Sequence, residues 1–297
     1  MFFTVDDVFL LPADLSARER MRDKICEKHS DITLTCPAKS ILSRPIEAYH
    51  IGRGRRYILV VAAHHALESI TANVAYMLID YLLSVSVKGD ILGVDCKLLL
   101  SKYCFIVVPC VNPDGVELRY HGAEASPLYE RQMRMSGGDF STWQSNARGV
   151  DLNHNYDFAF HEYSEISRRM GIVAGATLFG GEYPESEPET KGIANLVRTL
   201  APSAVVSLHS QGEEIYSFPN TARIKRIAGR LSELTGYASN TPIGTAAYSG
   251  LCDYTASLGI PSFTFEVGKG KNPLPESSSP DIFARVGRAI ALLPTLL

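Results

Sequence analysis

The sequence predicts a three-layer α/β/α fold, in which a mixed, mainly parallel, twisted sheet lies between two layers of helices. Strand-like and helix-like segments alternate along the chain, an order that is typical of a sheet covered on both faces. The run Tyr103–Val108 is apolar on both faces, which favours a central position in that sheet. With 297 residues and a hydrophobic content of 45%, the chain can bury a sizeable core. We therefore expect a single domain over residues 1–297, in which residues 1–45 form a helical lead-in.

The individual elements follow from local patterns. In the first third of the chain we predict a helix around Ala17 to His29, strands at Ile46–Ile51 and Tyr57–Ala63, and a long helix from Glu68. Between Gly115 and Gly149 the chain is polar and rich in glycine, so we interpret this stretch as a long functional loop. Further on, Ser186 and Glu189 have the spacing of a capping box ahead of a helix that carries Ile193 to Leu200.

Four short stretches place polar residues at the ends of apolar, strand-like runs. They are His65-Ala66-Leu67-Glu68, Asn112-Pro113-Asp114-Gly115, Ser207-Leu208-His209 and Thr264-Phe265-Glu266. In a helical first turn, residues i and i+3 share a face, so His65 and Glu68 can reach one metal ion. His209 ends a second run and supplies another imidazole. Two histidines and one glutamate, with a fourth position left for water, are typical of catalytic zinc. The pattern predicts one Zn²⁺ per chain, held by His65, Glu68 and His209.

Two positions in this pattern admit other interpretations. His64 also follows the first strand, but its i,i+4 relation to Glu68 leaves the His-x-x-Glu spacing unmet, so we favour His65. Glu266 ends the third apolar run, and a carboxylate there must be partnered or functional, because burying it unpaired is costly. In a zinc hydrolase it would take a proton from the attacking water and pass it to the leaving amine. The alternative is a salt bridge to Lys269 or Lys271.

Taken together, these residues resemble the zinc metallocarboxypeptidases. The likeness covers nearly the whole chain, from Ser43-Arg44-Pro45-Ile46 through Gly149-Val150-Asp151-Leu152-Asn153-His154-Asn155 to the strand that ends at Glu266. It implies a carboxypeptidase-like fold and a zinc-dependent peptidase activity, with His65, Glu68 and His209 as the zinc ligands and Glu266 as the general base. It also implies that Arg148 polarises the scissile carbonyl and that Asn153 holds the carboxylate of the substrate.

The chain departs from this family at two positions. Where ordinary members have arginine after the asparagine, this chain has His154, which cannot form a bidentate fork to a carboxylate. We expect His154 to be neutral or only partly charged near pH 7 and to bind substrate beside Asn153, with a reduced preference for a simple C-terminal carboxylate. Tyr248 is the nearest candidate for the mobile tyrosine of the family, although the loop from it to Asp253 is shorter than the familiar one.

Within the family, the chain is most similar to the bacterial γ-D-glutamyl-L-diamino acid endopeptidases, which cut murein peptides between D-glutamate and diaminopimelate. The stretches that carry this likeness are Tyr183–Thr190, His209–Glu213 and Glu266–Pro275. The resemblance implies a small, murein-derived peptide as substrate. The alternatives are an ordinary zinc carboxypeptidase that releases C-terminal amino acids, an N-acyl amino acid deacylase, and an inactive peptide-binding module.

Composition and charge disfavour several other classes of protein. The net charge is −3 with both signs spread along the chain, so nothing indicates a nucleic-acid partner. The most apolar helix, Thr71 to Val87, is interrupted by Asp80 and is shorter than the roughly 20 residues that a membrane span needs. The six cysteines lack Cys-x-x-Cys spacing, which suits reduced thiols. Acids stand near Met1 where a secretory signal would carry basic residues, so we expect a cytoplasmic location. The oligomeric state stays open.

Overall fold

The computed structural model describes residues 5–30, 32–124, 126–241, 248 and 250–297. Its strands are β1 (Thr33–Lys39), β2 (Pro45–Ile51), β3 (Arg56–Ala62), β4 (Asp90–Ile91), β5 (Val94–Asp95), β6 (Tyr103–Val108), β7 (Ala204–His209), β8 (Glu214–Phe218), β9 (Ala238–Asn240) and β10 (Ser262–Glu266). Its α-helices are α1 (Leu15–Lys28), α2 (Ile70–Lys88), α3 (Cys96–Lys102), α4 (Pro113–His121), α5 (Tyr129–Ser136), α6 (Phe160–Arg169), α7 (Pro188–Leu200), α8 (Ala222–Thr235), α9 (Leu251–Ser257) and α10 (Ser279–Leu292). Short 3₁₀ turns include Ala66–Glu68 and Leu152–His154.

A mixed eight-stranded sheet, in the order β1-β2-β6-β3-β7-β10-β8-β9, organises the molecule. The four central strands β6, β3, β7 and β10 run parallel to one another. Antiparallel pairing joins β2 to one side of this group and β8 to the other. Strands β3, β6 and β7 are almost entirely buried, as expected for strands covered on both faces. The predicted three-layer fold with a mixed, mainly parallel sheet is confirmed.

Alternate residues of each central strand face opposite layers of helices. In β3, Ile58 and Val60 pack into the cluster that contains residues of α2, α8 and α10, whereas Leu59 and Val61 pack into the cluster that contains residues of α7 and α9. This is the period of two that a strand imposes on its side chains. Strands β3, β6 and β7 place apolar residues in both clusters, whereas β10 places Phe263 and Phe265 in the first cluster only. Because these four strands are parallel, their carboxyl ends lie along one edge of the sheet.

Three local expectations are wrong. Residues 33–39 belong to β1, an edge strand with a bulge between Thr35 and Ala38, rather than to a purely helical lead-in. Its side chains are mostly exposed, so the sequence lacks the apolar alternation that identifies a strand. The stretch between Gly115 and Gly149 contains α4 and α5 and is not one long loop.

The proposed capping box at the start of α7 is also absent. The N-cap position is Glu187, whose side chain makes no capping hydrogen bond, and Pro188 begins the helix. Glu189 instead accepts a hydrogen bond from the backbone N–H of Ile41, 3.1 Å away. A long-range partner has therefore displaced the local one that the spacing predicted.

Helix α2 carries Asp80 on a buried face, where its carboxylate pairs with Lys28 and His29 of the α1 end. Among the residues that the structure describes, no helix is long and apolar enough to cross a membrane.

Candidate metal centre

Polar residues at or just beyond the ends of three of the parallel strands meet at the carboxyl edge of the sheet. Strand β3 ends at Ala62 and is followed closely by His64 and His65, while β7 ends at His209. Strand β10 ends at Glu266, which stands directly beside His209 in the parallel register of the two strands. Open α/β sheets place their ligands outside the carboxyl ends of such strands. The fold therefore brings the residues singled out in the sequence to one place.

His65, Glu68 and His209 form the one group of possible metal ligands found among the described residues, with one ligand atom of each within 4.8 Å of the others. The Nδ1 atoms of His65 and His209 each lie 3.0 Å from a carboxylate oxygen of Glu68. Glu68 comes within reach of His65 because residues 66–68 form a 3₁₀ turn, in which i and i+3 lie one above the other. Tetrahedral zinc places its ligand atoms roughly 3.3 Å apart, which matches this spacing.

The outer nitrogen of His65 is held by a second carboxylate. Its Nε2 lies 3.1 Å from Oδ1 of Asp151, whose other oxygen accepts a hydrogen bond from the backbone N–H of Leu178. This contact leaves Nδ1 of His65 as the nitrogen that faces Glu68 and His209. A carboxylate behind a ligand histidine is the usual arrangement at zinc, because it orients the ring and makes the imidazole more basic. The donor set and its support therefore fit zinc.

The electrostatics of the cluster favour a cation between its members. Burial by itself would raise the pKa of Glu68, but His65 and His209 outweigh burial and hold the pKa at about 2. Burial likewise acts to lower the pKa of His65, yet Glu68 and Asp151 raise it well above its ordinary value. The two carboxylates thus stabilise positive charge at His65, and a metal cation would supply that charge directly.

His64 stacks on the ring of His209, with centroids 5.5 Å apart, but its nitrogens do not join the ligand group. Its Nε2 is 2.8 Å from the hydroxyl of Tyr156, and the residue is fully buried. Burial, with repulsion from His209 and His65, lowers the pKa of His64 well below its ordinary value, so the ring is neutral. The structure therefore brings a nitrogen of His65, and not one of His64, within ligand distance of Glu68 and His209.

Glu266 is partly buried beside the cluster, and burial raises its pKa to about 7, with attraction by His209 opposing the rise and repulsion from Glu68 adding to it. Lys269 and Lys271 form no ion pair with it in the described part of the chain. A carboxylate with a pKa near neutrality is suited to accept a proton and later to donate it. This position agrees with the predicted general base.

Asn112 connects the turn after β3, which carries His65, to the start of α4 and to Gln144. Its side-chain amide donates to the backbone oxygens of His64 and Gln144, each 3.0 Å away, while its Oδ1 caps the start of α4. Gly115 is required in this turn because a Cβ there would collide with the carbonyl oxygen of Ser145. The Asn-Pro-Asp-Gly motif therefore has a structural role in holding the loop that carries His65.

The remaining predicted site residues are Arg148, Asn153 and His154, and Tyr248, which precedes α9. Arg148 is 39% exposed, and its Nε lies 3.2 Å from Oε2 of the buried Glu187. Asn153 accepts a hydrogen bond from the backbone N–H of Leu251, and Nδ1 of His154 lies 2.9 Å from the carbonyl oxygen of Tyr248. Asn153, His154 and Tyr248 are thus brought together, whereas Arg148 faces an acidic neighbour.

The environment of His154 favours the neutral form of its ring. Burial lowers its pKa, and the attraction of Asp151 opposes this only in part. The side chain is 7% exposed and stacks on the ring of Tyr163, so desolvation outweighs the nearby negative charge. His154 is therefore a neutral ring in a closed environment.

Asp151, Asn112 and Glu187 are the supporting residues that were not assigned a role from the sequence. Asp151 and Asn112 stand inside quoted motifs, and a buried polar residue next to a ligand strand is the signal that could have identified them. Glu187 lay in a stretch that we interpreted as a helix start.

We expect Asp151→Asn to weaken zinc binding by about 10- to 100-fold, since a supporting carboxylate behind a ligand histidine has this effect on metal affinity. Competition with a coloured chelator measures the change. Asp157→Asn, at an exposed position outside the cluster, is the matched control and should bind zinc as the unaltered protein does. An unchanged affinity in Asp151→Asn would show that the contact with His65 does not support the metal.

Comparison with known proteins agrees with the geometry. The sequence matches the zinc carboxypeptidase family over residues 19–283. It is 32% identical over 253 residues to γ-D-glutamyl-L-diamino acid endopeptidase 1 of Lysinibacillus sphaericus. The matched region covers 82% of this chain and 62% of that protein. The fold resembles thrombin-activatable fibrinolysis inhibitor, with a TM-score of 0.78 and 19% identity over 98% of this chain and 75% of the other.

A second solved structure also has a fold similar to that of this chain. Murein-tripeptide amidase MpaA of Escherichia coli O157 has a TM-score of 0.57 and 19% identity, over 87% of this chain and 91% of the other. The family match spans most of the chain and includes the three converging residues of the candidate metal centre. Sequence and site together show that this chain belongs to the zinc carboxypeptidase family.

Proposed function

We propose that this protein is a zinc-dependent peptidase that hydrolyses the bond between γ-D-glutamate and meso-diaminopimelate in murein peptides. The observation that carries the proposal is the convergence of His65, Glu68 and His209 at one sheet edge, with Glu266 in register beside His209. Membership of the family supports the peptidase activity. The likeness to the Lysinibacillus endopeptidase supports the substrate, although the chain spans 62% of the length of that relative.

Each residue of the centre has a chemical task in this reaction. His65, Glu68 and His209 would hold the zinc ion, which when bound acts as a Lewis acid and lowers the pKa of water. Glu266 accepts a proton from the attacking water and then donates it to the departing nitrogen. Asp151 keeps the ring of His65 in the orientation that presents Nδ1. No covalent intermediate on the protein is needed.

Arg148 is proposed to stabilise the negative charge that develops on the scissile carbonyl oxygen. Its ion pair with Glu187 is made through Nε, and the guanidinium nitrogens have no hydrogen-bond partner among the described residues. A forked, permanently charged group of this kind suits an oxyanion. Glu187 would hold the stem of the side chain while its end faces the substrate.

The substrate side of the site argues against a plain C-terminal amino acid. His154 is neutral and buried, so it supplies no charge to a carboxylate. A substrate with a second amino-carboxylate group offers further polar contacts, and a site shaped for them is left with unpaired groups by an apolar residue. Diaminopimelate has such a group, whereas leucine and phenylalanine do not.

Incubation of the zinc-loaded protein with L-Ala-γ-D-Glu-meso-diaminopimelate should release free diaminopimelate and the dipeptide L-Ala-D-Glu, as identified by mass spectrometry. The same tripeptide with lysine in place of diaminopimelate lacks only the distal carboxylate, and we expect it to be cleaved more slowly. An α-linked isomer should be cleaved more slowly still.

A chelator-treated sample and the Glu266→Gln variant serve as controls for contaminating peptidases. Efficient release of phenylalanine or leucine from blocked dipeptides, with the murein tripeptide left intact, would replace the proposal with an ordinary carboxypeptidase. Hydrolysis of N-acyl amino acids alone would identify a deacylase.

A further inference from the structure

The segment that leads into α9 rests on the turn that follows Asp151. The carbonyl oxygen of Tyr248 lies 2.9 Å from Nδ1 of His154, and the N–H of Leu251 donates to Oδ1 of Asn153 over 3.3 Å. Residues 258–261 join the end of helix α9 to the start of β10. The start of α9 therefore lies towards the carboxyl end of β10. That end carries Glu266. The Tyr248 segment, defined here as residues 248 and 250–251, therefore lies at the edge where the metal centre forms.

The contacts of His154 determine its protonation. A carbonyl oxygen only accepts hydrogen bonds, so the bond to Tyr248 requires a proton on Nδ1 of His154. One face of the ring lies against Tyr163 of α6, with ring centroids 4.1 Å apart and planes 10° from parallel. A ring stacked in this way and 7% exposed has little freedom to turn. His154 is therefore a fixed Nδ1–H donor between α6 and the Tyr248 segment.

His154 is also connected to the metal centre through the backbone. It ends the 3₁₀ turn Leu152–His154, in which the N–H of Asn153 donates to Oδ1 of Asp151. The same carboxylate holds Nε2 of His65. A continuous set of hydrogen bonds thus runs from the candidate zinc ligand His65, through Asp151 and the turn, to the Tyr248 segment.

We propose that His154 is a positioning residue, which docks the Tyr248 segment onto the metal-binding edge, and is not a ligand for the carboxylate of the substrate. The inference rests on the proposed function only in taking this edge as the place where a peptide binds. The ring acts through the segment that it holds, and loss of the Nδ1 donor would free this segment from the turn that carries His154. Substrate binding would then weaken more than the chemical step.

Two isosteric substitutions separate the nitrogens of this ring. In His154→Asn the side-chain amide nitrogen stands where Nδ1 stood, so the donor to Tyr248 is kept. In His154→Gln the amide reaches the position of Nε2, and the donor is lost. We expect His154→Asn to have a KM within about threefold of the unaltered protein, and His154→Gln to raise KM about tenfold with a smaller change in kcat, as expected for one hydrogen bond.

Hydrogen–deuterium exchange measures the docking without any substrate. Peptides that cover residues 250–257 should exchange faster in His154→Gln than in His154→Asn, and zinc content should be the same in both. His161, on the outer face of α6 with its side chain 86% exposed, provides matched controls, since His161→Asn and His161→Gln should leave exchange and KM unchanged.

Equal exchange and equal KM in the two His154 variants would overturn the proposal, and so would an Asn variant as impaired as Gln. A rise in KM without faster exchange in His154→Gln would assign His154 to the substrate instead. Because exchange and zinc content are measured on the protein alone, they test the docking even if the murein tripeptide is not the substrate.

Discussion

Glu266→Gln should keep its zinc and lose about 10²- to 10⁴-fold of its turnover, the range over which a positioned general base contributes to catalysis. Glutamine has nearly the same shape as glutamate but cannot accept the proton of the attacking water. The loss should appear in kcat and kcat/KM together, because the proton transfer belongs to the transition state. Metal analysis of the same sample shows whether the ion is retained.

Glu214→Gln is the matched control for this variant. Glu214 lies opposite Glu266 in the antiparallel register of β8 and β10, so it is a neighbouring carboxylate on the same edge. We expect its substitution to change turnover far less. Near-normal activity in Glu266→Gln would remove Glu266 from the mechanism and direct attention to Glu214.

The pH dependence provides an independent check on Glu266. Burial raises its pKa to about 7, and a bound divalent cation would lower it from there. The base works in its ionised form, so kcat/KM should rise as the pH rises through this pKa and then level off. The acidic limb should therefore have its midpoint below pH 7, and it should be missing from the residual activity of Glu266→Gln.

His65→Ala and His209→Ala should each weaken zinc binding by more than about 100-fold, since loss of a ligand exceeds the 10- to 100-fold effect of a supporting group. Each variant removes one of the three protein donors and leaves too few to compete with water or a chelator. After dialysis the unaltered protein should retain about one zinc per chain, and both variants should retain much less. Emission spectrometry of the dialysed samples measures this difference.

Thermal unfolding with and without added zinc gives a second measurement. A ligand that binds only the native state raises the midpoint of unfolding, and this rise should be lost in both variants. His64→Ala is the control, because His64 bonds to Tyr156 and lies outside the ligand group. Retention of zinc by His65→Ala together with its loss from His64→Ala would reverse the assignment of the two neighbours.

Part of the site was predictable because its signals are local. His65 and Glu68 are three residues apart, and one turn of backbone brings them together whatever the rest of the chain does. The runs that end at His209 and Glu266 are recognisable as strands from their apolar residues alone. The alternation of strands and helices then implies a covered sheet, whose parallel strands end at one edge.

The failures involve contacts between distant parts of the chain. Ser186 and Glu189 have the spacing of a capping box, but Glu189 accepts a hydrogen bond from the N–H of Ile41 instead. The exposed edge strand β1 forms because β2 supplies its hydrogen bonds. The residues of β1 alone do not show this pairing. For the same reason Asp151 was not recognised as the partner of His65, from which it is 86 residues away.

The sequence by itself determined the layered fold, the family and the four residues that converge on the zinc site, since apolar periodicity and short spacings act within single elements. Only the tertiary structure decided which nitrogen of His65 faces Glu68 and His209, that Glu187 pairs with Arg148, and that His154 donates from Nδ1 to Tyr248, 94 residues further along the chain. The physical reason is that protonation and orientation depend on burial and on partners that only folding brings within hydrogen-bond distance.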